Sequence, residues 1–412
     1  MLERLWGRVR DLSHGEIALL LFAVSTPLLF YRIDQPSHMY FDEEYYVEAA
    51  RAILNGTGDP NWVHPPAGKM MIALGILLLG DRSYAWRFPG ALLAVYSVVA
   101  LYFIAFKLFD SRKVALLSSL FLLTDLLFYV QARIATLDIY VLSFSIFSIF
   151  FMLYSFPGRE ILLIPTSLCL GMAIACKLPG LYLYPLILAY SLYHLKGKGR
   201  KKLVIYTLIL LLLPAITYTA TYFQYFQLHG FDLQAFINYQ IYMAVEVVTI
   251  PGTHIYASEP WTWPLILRSM PYYYAHITVD DTLYISSITA SGNIITWYLG
   301  LVSILFTLYR CIRYRRLVDG VPLAWYLITF LPFFPTGIAH AFFSGGRVQF
   351  IYYYLQSVPG LHLILSHVVD EADKRTGYPI ASTVLSAAIS FFAFGYPGIS
   401  GLPVPYGYPL YP

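Results

Sequence analysis

The sequence predicts an all-α polytopic membrane protein, and three observations carry that prediction. Hydrophobic residues make up 58% of the chain and charged residues only 12%, against about 25% charge in a soluble domain. Mean hydropathy is +0.62. Apolar runs long enough to cross a bilayer recur from one end of the chain to the other, and in lipid a helix satisfies its own backbone.

Taken in order, the runs fall at 16–33, 84–107, 114–131, 134–155, 160–176, 178–194, 202–224, 294–310, 322–343, 347–367 and 379–396. At ~20 apolar residues per crossing they give about eleven transmembrane helices. No small-residue cleavage site leads into a polar mature domain after the first run, so it is read as a retained helix. The run at 66–80, PAGKMMIALGILLLG, is short and follows His64-Pro65. It is expected to be a re-entrant or juxtamembrane segment within a first outer loop at 34–83. The loop at 225–293 is long and rich in Tyr, Trp and Pro, which points to an ordered, functional outer loop. The tail LPVPYGYPLYP reads as irregular, and the chain as one membrane domain over 1–412.

Charge sets the expected orientation. With the amino terminus cytoplasmic, 18 of the 27 Lys and Arg residues fall on the inner side, among them Lys107, Arg112, Lys113, Lys198, Lys202, Arg310 and Lys374. The positive-inside rule therefore puts the carboxyl terminus outside. If 66–80 crossed fully, the later loops would invert. The net charge of +4 sits in these loops, so nucleic acid is not an expected partner. Cys169, Cys176 and Cys311 have the spacing of neither a metal site nor a disulfide framework. Gly-rich nucleotide loops, HExxH and GxSxG are absent. Asn55-Gly56-Thr57 forms a three-residue glycan sequon.

Chemistry concentrates in YFDEEYYVEAARAILNGTGDPNWVHPPAGK, residues 40–69, where acids and bases crowd between apolar segments. Asp42, Glu43 and Glu44 precede a helical pattern. Two readings stand: they cap the helix and complement its dipole, or one carboxylate accepts a proton from a substrate hydroxyl. His64 and Lys69 lie about one turn apart at a Pro-initiated helix start. They either mark that start, with Lys69 snorkelling to the interface, or recognise an anionic group. Asp125 and Asp138 fall inside apolar runs, where an acid either bonds a neighbouring helix or serves function. Arg87, Arg133, Lys177 and Arg347 all lie at expected outer ends. Each alone is ordinary, but together with the acidic loop they suit a lipid-linked phosphate, which guanidinium groups bind bidentately.

These residues also carry a resemblance. FDEEYYVEAARAI, VHPPAGKMMIALG, YAWRFPGAL, ARIATLDIYVLSF, GMAIACKLPGLYL, HIYASEPWTWPLILR, SGNIITWYLGL and RVQFIYYYLQSVPGL occur in that order, and they resemble blocks of the protein O-mannosyltransferases of the GT-C glycosyltransferase superfamily. The resemblance implies a GT-C fold and a polyprenyl-phosphate mannose donor, dolichyl phosphate in archaea and eukaryotes. It implies transfer with inversion to Ser or Thr of an acceptor polypeptide, with no metal or other cofactor. Asp42 falls on the family's base, and Glu43 on a neighbour linked to the arginine matching Arg133. Arg133, Lys177, His64, Lys69 and Arg347 are the expected donor-phosphate ligands. Arg87, Asp138, His254, Tyr256 and Ser258 are expected to bind substrate.

Two positions depart from the pattern: Glu44 replaces an apolar residue, and Ile294 a proline. The outer loop has no room for the lectin-like domain of eukaryotic members. These features place the chain nearer the short prokaryotic members, in a cell membrane rather than the endoplasmic reticulum. Family members often pair, so a dimer is possible, though no interface signal is present. Two rivals remain at this point: sugar transfer to a lipid or glycan, as in lipid A aminoarabinose transferases, and transport of a lipid-linked substrate.

Overall fold

The computed structural model describes residues 11–249, 252–314, 319–343 and 346–408. Every expected apolar run contains helix. The first, α1 (His14–Phe30), opens with a capping box in which Ser13 and Glu16 satisfy each other's backbone N–H groups. Next come α2 (Glu43–Leu54), the short α3 (Ala67–Leu79) and the 27-residue α4 (Ser83–Phe109). Gly75 lets α3 and α4 touch: a Cβ there would lie 2.2 Å from the Ala85 carbonyl oxygen.

The run at 114–131 is not one straight helix. It is split into α5 (Arg112–Leu123) and α6 (Leu126–Ala132), bent by 64°. Asp125 makes the break: its carboxylate caps α6 through the Phe128 N–H (3.0 Å) and also accepts from Trp297 Nε1 (2.6 Å). The helix-bonding reading of Asp125 is therefore the one the structure shows.

The bundle continues through α7 (Asp138–Tyr154), α8 (Leu163–Cys176), a 3₁₀ segment at Leu178–Leu183, α9 (Tyr184–Leu195) and α10 (Arg200–Ala220). The long loop adds α11 (Phe223–His229) and α12 (Leu233–Thr249). The carboxyl-terminal half holds α13 (Ile294–Tyr314), α14 (Gly320–Phe330), α15 (Phe334–Phe343), α16 (Val358–Thr376) and α17 (Ile380–Ser400). The run at 347–367 starts as extended chain and a 3₁₀ segment, Ile351–Ser357, before α16 begins with Pro359 in its first turn.

The outer loop also holds a small antiparallel sheet that helical periodicity does not announce: β1 (Met270–Val279), β2 (Thr282–Ala290) and β3 (Val404–Pro405), in that order. Its hairpin turns at Asp280-Asp281, both at positive φ (47° and 58°), as the preferred two-residue hairpin loops require.

Charge separates the two ends of the bundle. At one end Lys113 pairs with Asp373 and with Asp370 (3.4 Å), Arg310 with Glu371 and with Asp319 (2.9 Å), and Glu160 with Lys198 and Lys202 (3.3 Å each). These are the segments read as inner. The segments read as outer, 32–66, 131–138, 177 and 346–353, meet in the cluster described next.

Candidate active site

The turn before α2 is built to present Asp42. Phe41 sits in the left-handed region (φ 55°), which a bulky residue adopts only when its surroundings hold it there. Its ring stacks on Tyr272 of β1, with centroids 3.9 Å apart and planes at 12°. Asp42 follows as the N-cap residue of α2, yet its side chain makes no capping hydrogen bond. Among the described residues it has no ion pair either. The capping reading therefore fails for this acid, and its carboxylate remains half-buried and unspent.

Glu43 is the opposite case. It is fully buried, and its two oxygens accept from Arg87 Nε (2.7 Å) and Nη2 (2.8 Å), from the Ala135 N–H (2.9 Å) and from the Tyr40 N–H (3.4 Å). Arg87, also fully buried, gives its remaining N–H groups to the carbonyls of Ile33, Pro36 and His38 at 2.8–3.1 Å. This corrects two expectations. Arg87 touches no open space and acts as the clamp of the 33–43 turn, not as a substrate ligand. Glu43 is joined to Arg87 instead of the Arg133 side chain.

Around Asp42 stand charged groups from distant parts of the chain. Burial pushes the Asp42 carboxyl up to about 6, with Lys177 and Arg347 pulling it down and Asp138 pushing it further up. Lys177 donates to both oxygens of Asp138 at 3.0 Å, and its ammonium lies over the rings of Tyr352 (5.9 Å) and Tyr353 (5.2 Å). Arg347 donates to the Val247 carbonyl (3.0 Å) and has no carboxylate partner among the described residues. Asp138 is thus the counter-ion of Lys177, a role that places it beside the site without making it a substrate ligand by itself.

Three expected phosphate ligands fare differently. Arg133 is nearly buried, stacked over Tyr129 (4.8 Å), bonded to that residue's hydroxyl and to the Arg32 carbonyl (3.1 Å). It carries a charge with no acid partner among the described residues, but it lies on the Tyr40 side of the turn. Lys69 is fully buried, and its ammonium is shared among Asp59 and the carbonyls of Asn61 (2.6 Å) and His64 (2.7 Å). All three donors are used, so it staples the first outer loop and is not free to hold a phosphate. Burial, then Lys177 and Lys69, pull the His64 pKa well below its usual value, so it brings a neutral ring with an unpartnered Nδ1 in place of a charge.

The outer-loop motif forms a neighbouring cleft of ≈ 510 Å³ lined by His254, Ser258, Glu259, Arg268 and His340 among others. Ser258 fixes the loop: it accepts from Trp263 Nε1 through both side chain (3.0 Å) and carbonyl (3.1 Å), and its N–H reaches Gln349 (2.9 Å). His254 Nδ1 accepts from the Tyr256 N–H (3.1 Å), and Tyr256 is partly exposed. The residues that sequence reasoning passed over are the tyrosines walling the cluster: Tyr46, Tyr272, Tyr352 and Tyr353. The signal was present in the run FIYYYL, where three tyrosines inside an apolar segment exceed what an interfacial belt needs. Among the described residues no three His, Cys, Asp or Glu side chains gather into a metal-binding group.

The helical bundle, with a carboxylate unpaired among the described residues and cations gathered at one end, has the GT-C glycosyltransferase fold of the solved structures it superposes on. The solved Saccharomyces cerevisiae protein O-mannosyltransferase Pmt1-Pmt2 complex, bound to its sugar donor, superposes with a TM-score of 0.80 at 14% identity, over 95% of this chain and 90% of that one. ArnT from Cupriavidus metallidurans, bound to undecaprenyl phosphate, gives 0.63 at 17% identity, over 93% and 64%. Residues 63–220 match the family model of dolichyl-phosphate-mannose-protein mannosyltransferase, and residues 232–407 that of the C-terminal four-transmembrane region of protein O-mannosyltransferase. The polyprenol-phosphate-mannose–protein mannosyltransferase of Mycolicibacterium smegmatis is 24% identical over 88% of this chain and 84% of its own. The chain belongs to the protein O-mannosyltransferase family and is similar to its prokaryotic members.

Proposed function

We infer that the protein transfers mannose from a polyprenyl phosphate to Ser or Thr hydroxyls of polypeptides at the outer membrane face. One observation carries the assignment of the site: in the acidic turn Glu43 is spent on Arg87 and Glu44 is exposed, while Asp42 is half-buried with no side-chain hydrogen bond or ion pair among the described residues and feels the charges of Lys177 and Arg347. The acceptor oxygen attacks the anomeric carbon as Asp42 removes its proton, and the bond from that carbon to the phosphate oxygen breaks. A single displacement inverts the anomeric configuration. The departing lipid phosphate is already a stable anion, so it needs no proton. Fixed positive charge stabilises it, worth most where water is excluded. Lys177 and Arg347 supply that charge, and Arg133 meets the phosphate from the Tyr40 side.

A carboxyl group near 6 suits a base at neutral pH, being largely ionised yet a better proton acceptor than an ordinary aspartate. Glu43 and Arg87 position Asp42; they do not take part in proton transfer. His254 and Ser258 line the cleft beside the site, and Tyr256 holds the His254 ring through its backbone N–H. Because side-chain cations meet the phosphate, transfer is proposed to proceed without metal. The amino terminus is placed on the cytoplasmic side of a prokaryotic cell membrane, with the acidic turn outside.

The test is direct. Purified protein is incubated with radiolabelled polyprenyl-phosphate mannose and either a Thr-containing peptide or a lipid acceptor. Label on the peptide hydroxyl is expected. Label on lipid alone would reassign the acceptor, and donor carried across vesicles with no new glycosidic bond would replace the enzyme reading with a transporter.

A further inference from the structure

The deepest unexplained feature lies beside the site. The sheet order leaves β1 at an edge, paired with β2 along one side only. Every second residue of an antiparallel edge strand turns its N–H and C=O away from its partner. Among the described residues, no backbone group of residues 270–279 bonds to anything outside the sheet. Exposed edges are normally blunted by Lys, Pro or inward-pointing charges. In this strand Pro271 and the irregularity beside it blunt only the root, and from Tyr272 to Val279, YYYAHITV, the edge has no Lys, Arg, Asp, Glu or further Pro. Tyr274 and Val279 are 56% and 50% exposed.

The root of the strand meets the catalytic turn. Tyr272 stacks on Phe41, the residue before Asp42, and Tyr273 packs against His38 and Tyr40, with ring centroids at 5.6 and 5.9 Å. An extended chain laid along β1 would therefore run from open solvent to the Asp42 carboxylate.

We propose that the acceptor polypeptide docks as an added β-strand on the open edge of β1, which guides a Ser or Thr hydroxyl to Asp42. Main-chain pairing supplies affinity that is largely indifferent to side chains, as an enzyme with varied protein acceptors requires. At roughly 3.3 Å per residue, about six acceptor residues on one side of the hydroxyl lie against the edge. The proposal rests on the protein-acceptor reading above.

The experiment uses peptides with one Thr and a single backbone N-methyl group walked through six positions on each side, with donor saturating. KM is expected to rise roughly tenfold at alternate positions on one side, each losing a main-chain hydrogen bond and its close approach. The intervening positions and the other side stay within about twofold, as does kcat. A flat or non-alternating profile on a peptide that is mannosylated overturns the docking mode. No transfer to the unmethylated peptide overturns the protein-acceptor reading instead. A benzophenone side chain four residues from Thr, on the sensitive side, is expected to crosslink within 272–279. Crosslinks confined to other segments would remove β1 from the role.

Discussion

Two adjacent acids, Asp42 and Glu43, differ by one peptide step: the first is the proposed base and the second is spent on structure. Glu43 is saturated by Arg87 and two backbone N–H groups, while the Asp42 carboxylate has no donor among the described residues. Asp42→Asn is expected to lower kcat by roughly 10²–10⁴-fold with little change in donor affinity; wild-type turnover would remove Asp42 as base. Since the carboxylate is the proposed active form and burial pushes it up to about 6, wild-type kcat/KM should fall as pH drops through about 6. A profile flat to pH 5 would contradict this. The stability sign follows from the same shift. A carboxyl raised by burial resists ionisation in the fold, so its relative stability is full at low pH and lost as pH rises through about 6. The Asn variant should therefore melt roughly 1–4 °C higher than wild type at pH 8 and equally at pH 4. Arg87 behaves otherwise. Arg87→Met leaves Glu43 buried without its partner, which typically costs about 3–5 kcal/mol, and yield of folded protein should collapse. The pair Arg87→Met with Glu43→Gln should recover much of the fold, measured by monodispersity in detergent.

Elements decide where such residues end up. α3 carries Lys69, whose ammonium gathers the 59–64 loop, and α3 in turn leans on α4 through Gly75. A side chain at 75 would meet backbone, which cannot move aside. Gly75→Val is expected to lower the melting temperature by several degrees, at the roughly 1–3 kcal/mol typical of overpacking, and to weaken transfer without touching any group at the site. An unchanged melting curve would show that the helices separate freely. The break between α5 and α6 is the same logic in reverse: Asp125 prefers the Phe128 N–H and the Trp297 indole to a continuous helix. The turn that follows α6 sends the Ala135 N–H to Glu43.

Over the whole molecule, the two ends of the bundle differ in kind. Basic and acidic side chains neutralise one another at the end holding Lys113, Arg310 and Glu160. The other end keeps Asp42, Arg133 and Arg347 without an ion pair among the described residues. The first end is expected to face the cytoplasm. Cysteine placed at 255, an exposed position of the outer loop, should react with an impermeant maleimide in intact cells and cysteine at 199 should not; the reverse pattern would invert the topology. Chelation provides an independent check at this scale, because cationic side chains are assigned the work of a metal. Turnover in excess EDTA is expected to remain within about twofold of the untreated rate, and a loss restored by a divalent ion would overturn that assignment.

The helices were legible because lipid demands long apolar runs, and each run from 16–33 to 379–396 contains helix. Asp42, Lys177 and Arg347 were legible because charge in so apolar a chain needs a purpose. Three things were not legible. The partner of Glu43 could not be read, since Arg87 and Arg133 are equally basic and only packing decides which guanidinium reaches it. Lys69 looked free in one dimension and is spent in three, because the carbonyls of Asn61 and His64 and the carboxylate of Asp59 converge on it only once the loop closes. The hairpin escaped because its Tyr- and Thr-rich alternation was embedded in a loop judged by composition. Local pattern thus determined which segments are apolar and helical and which residues carry charge. Tertiary structure alone decided which charges cancel, because pairing depends on distances that close only when helices far apart in sequence pack together.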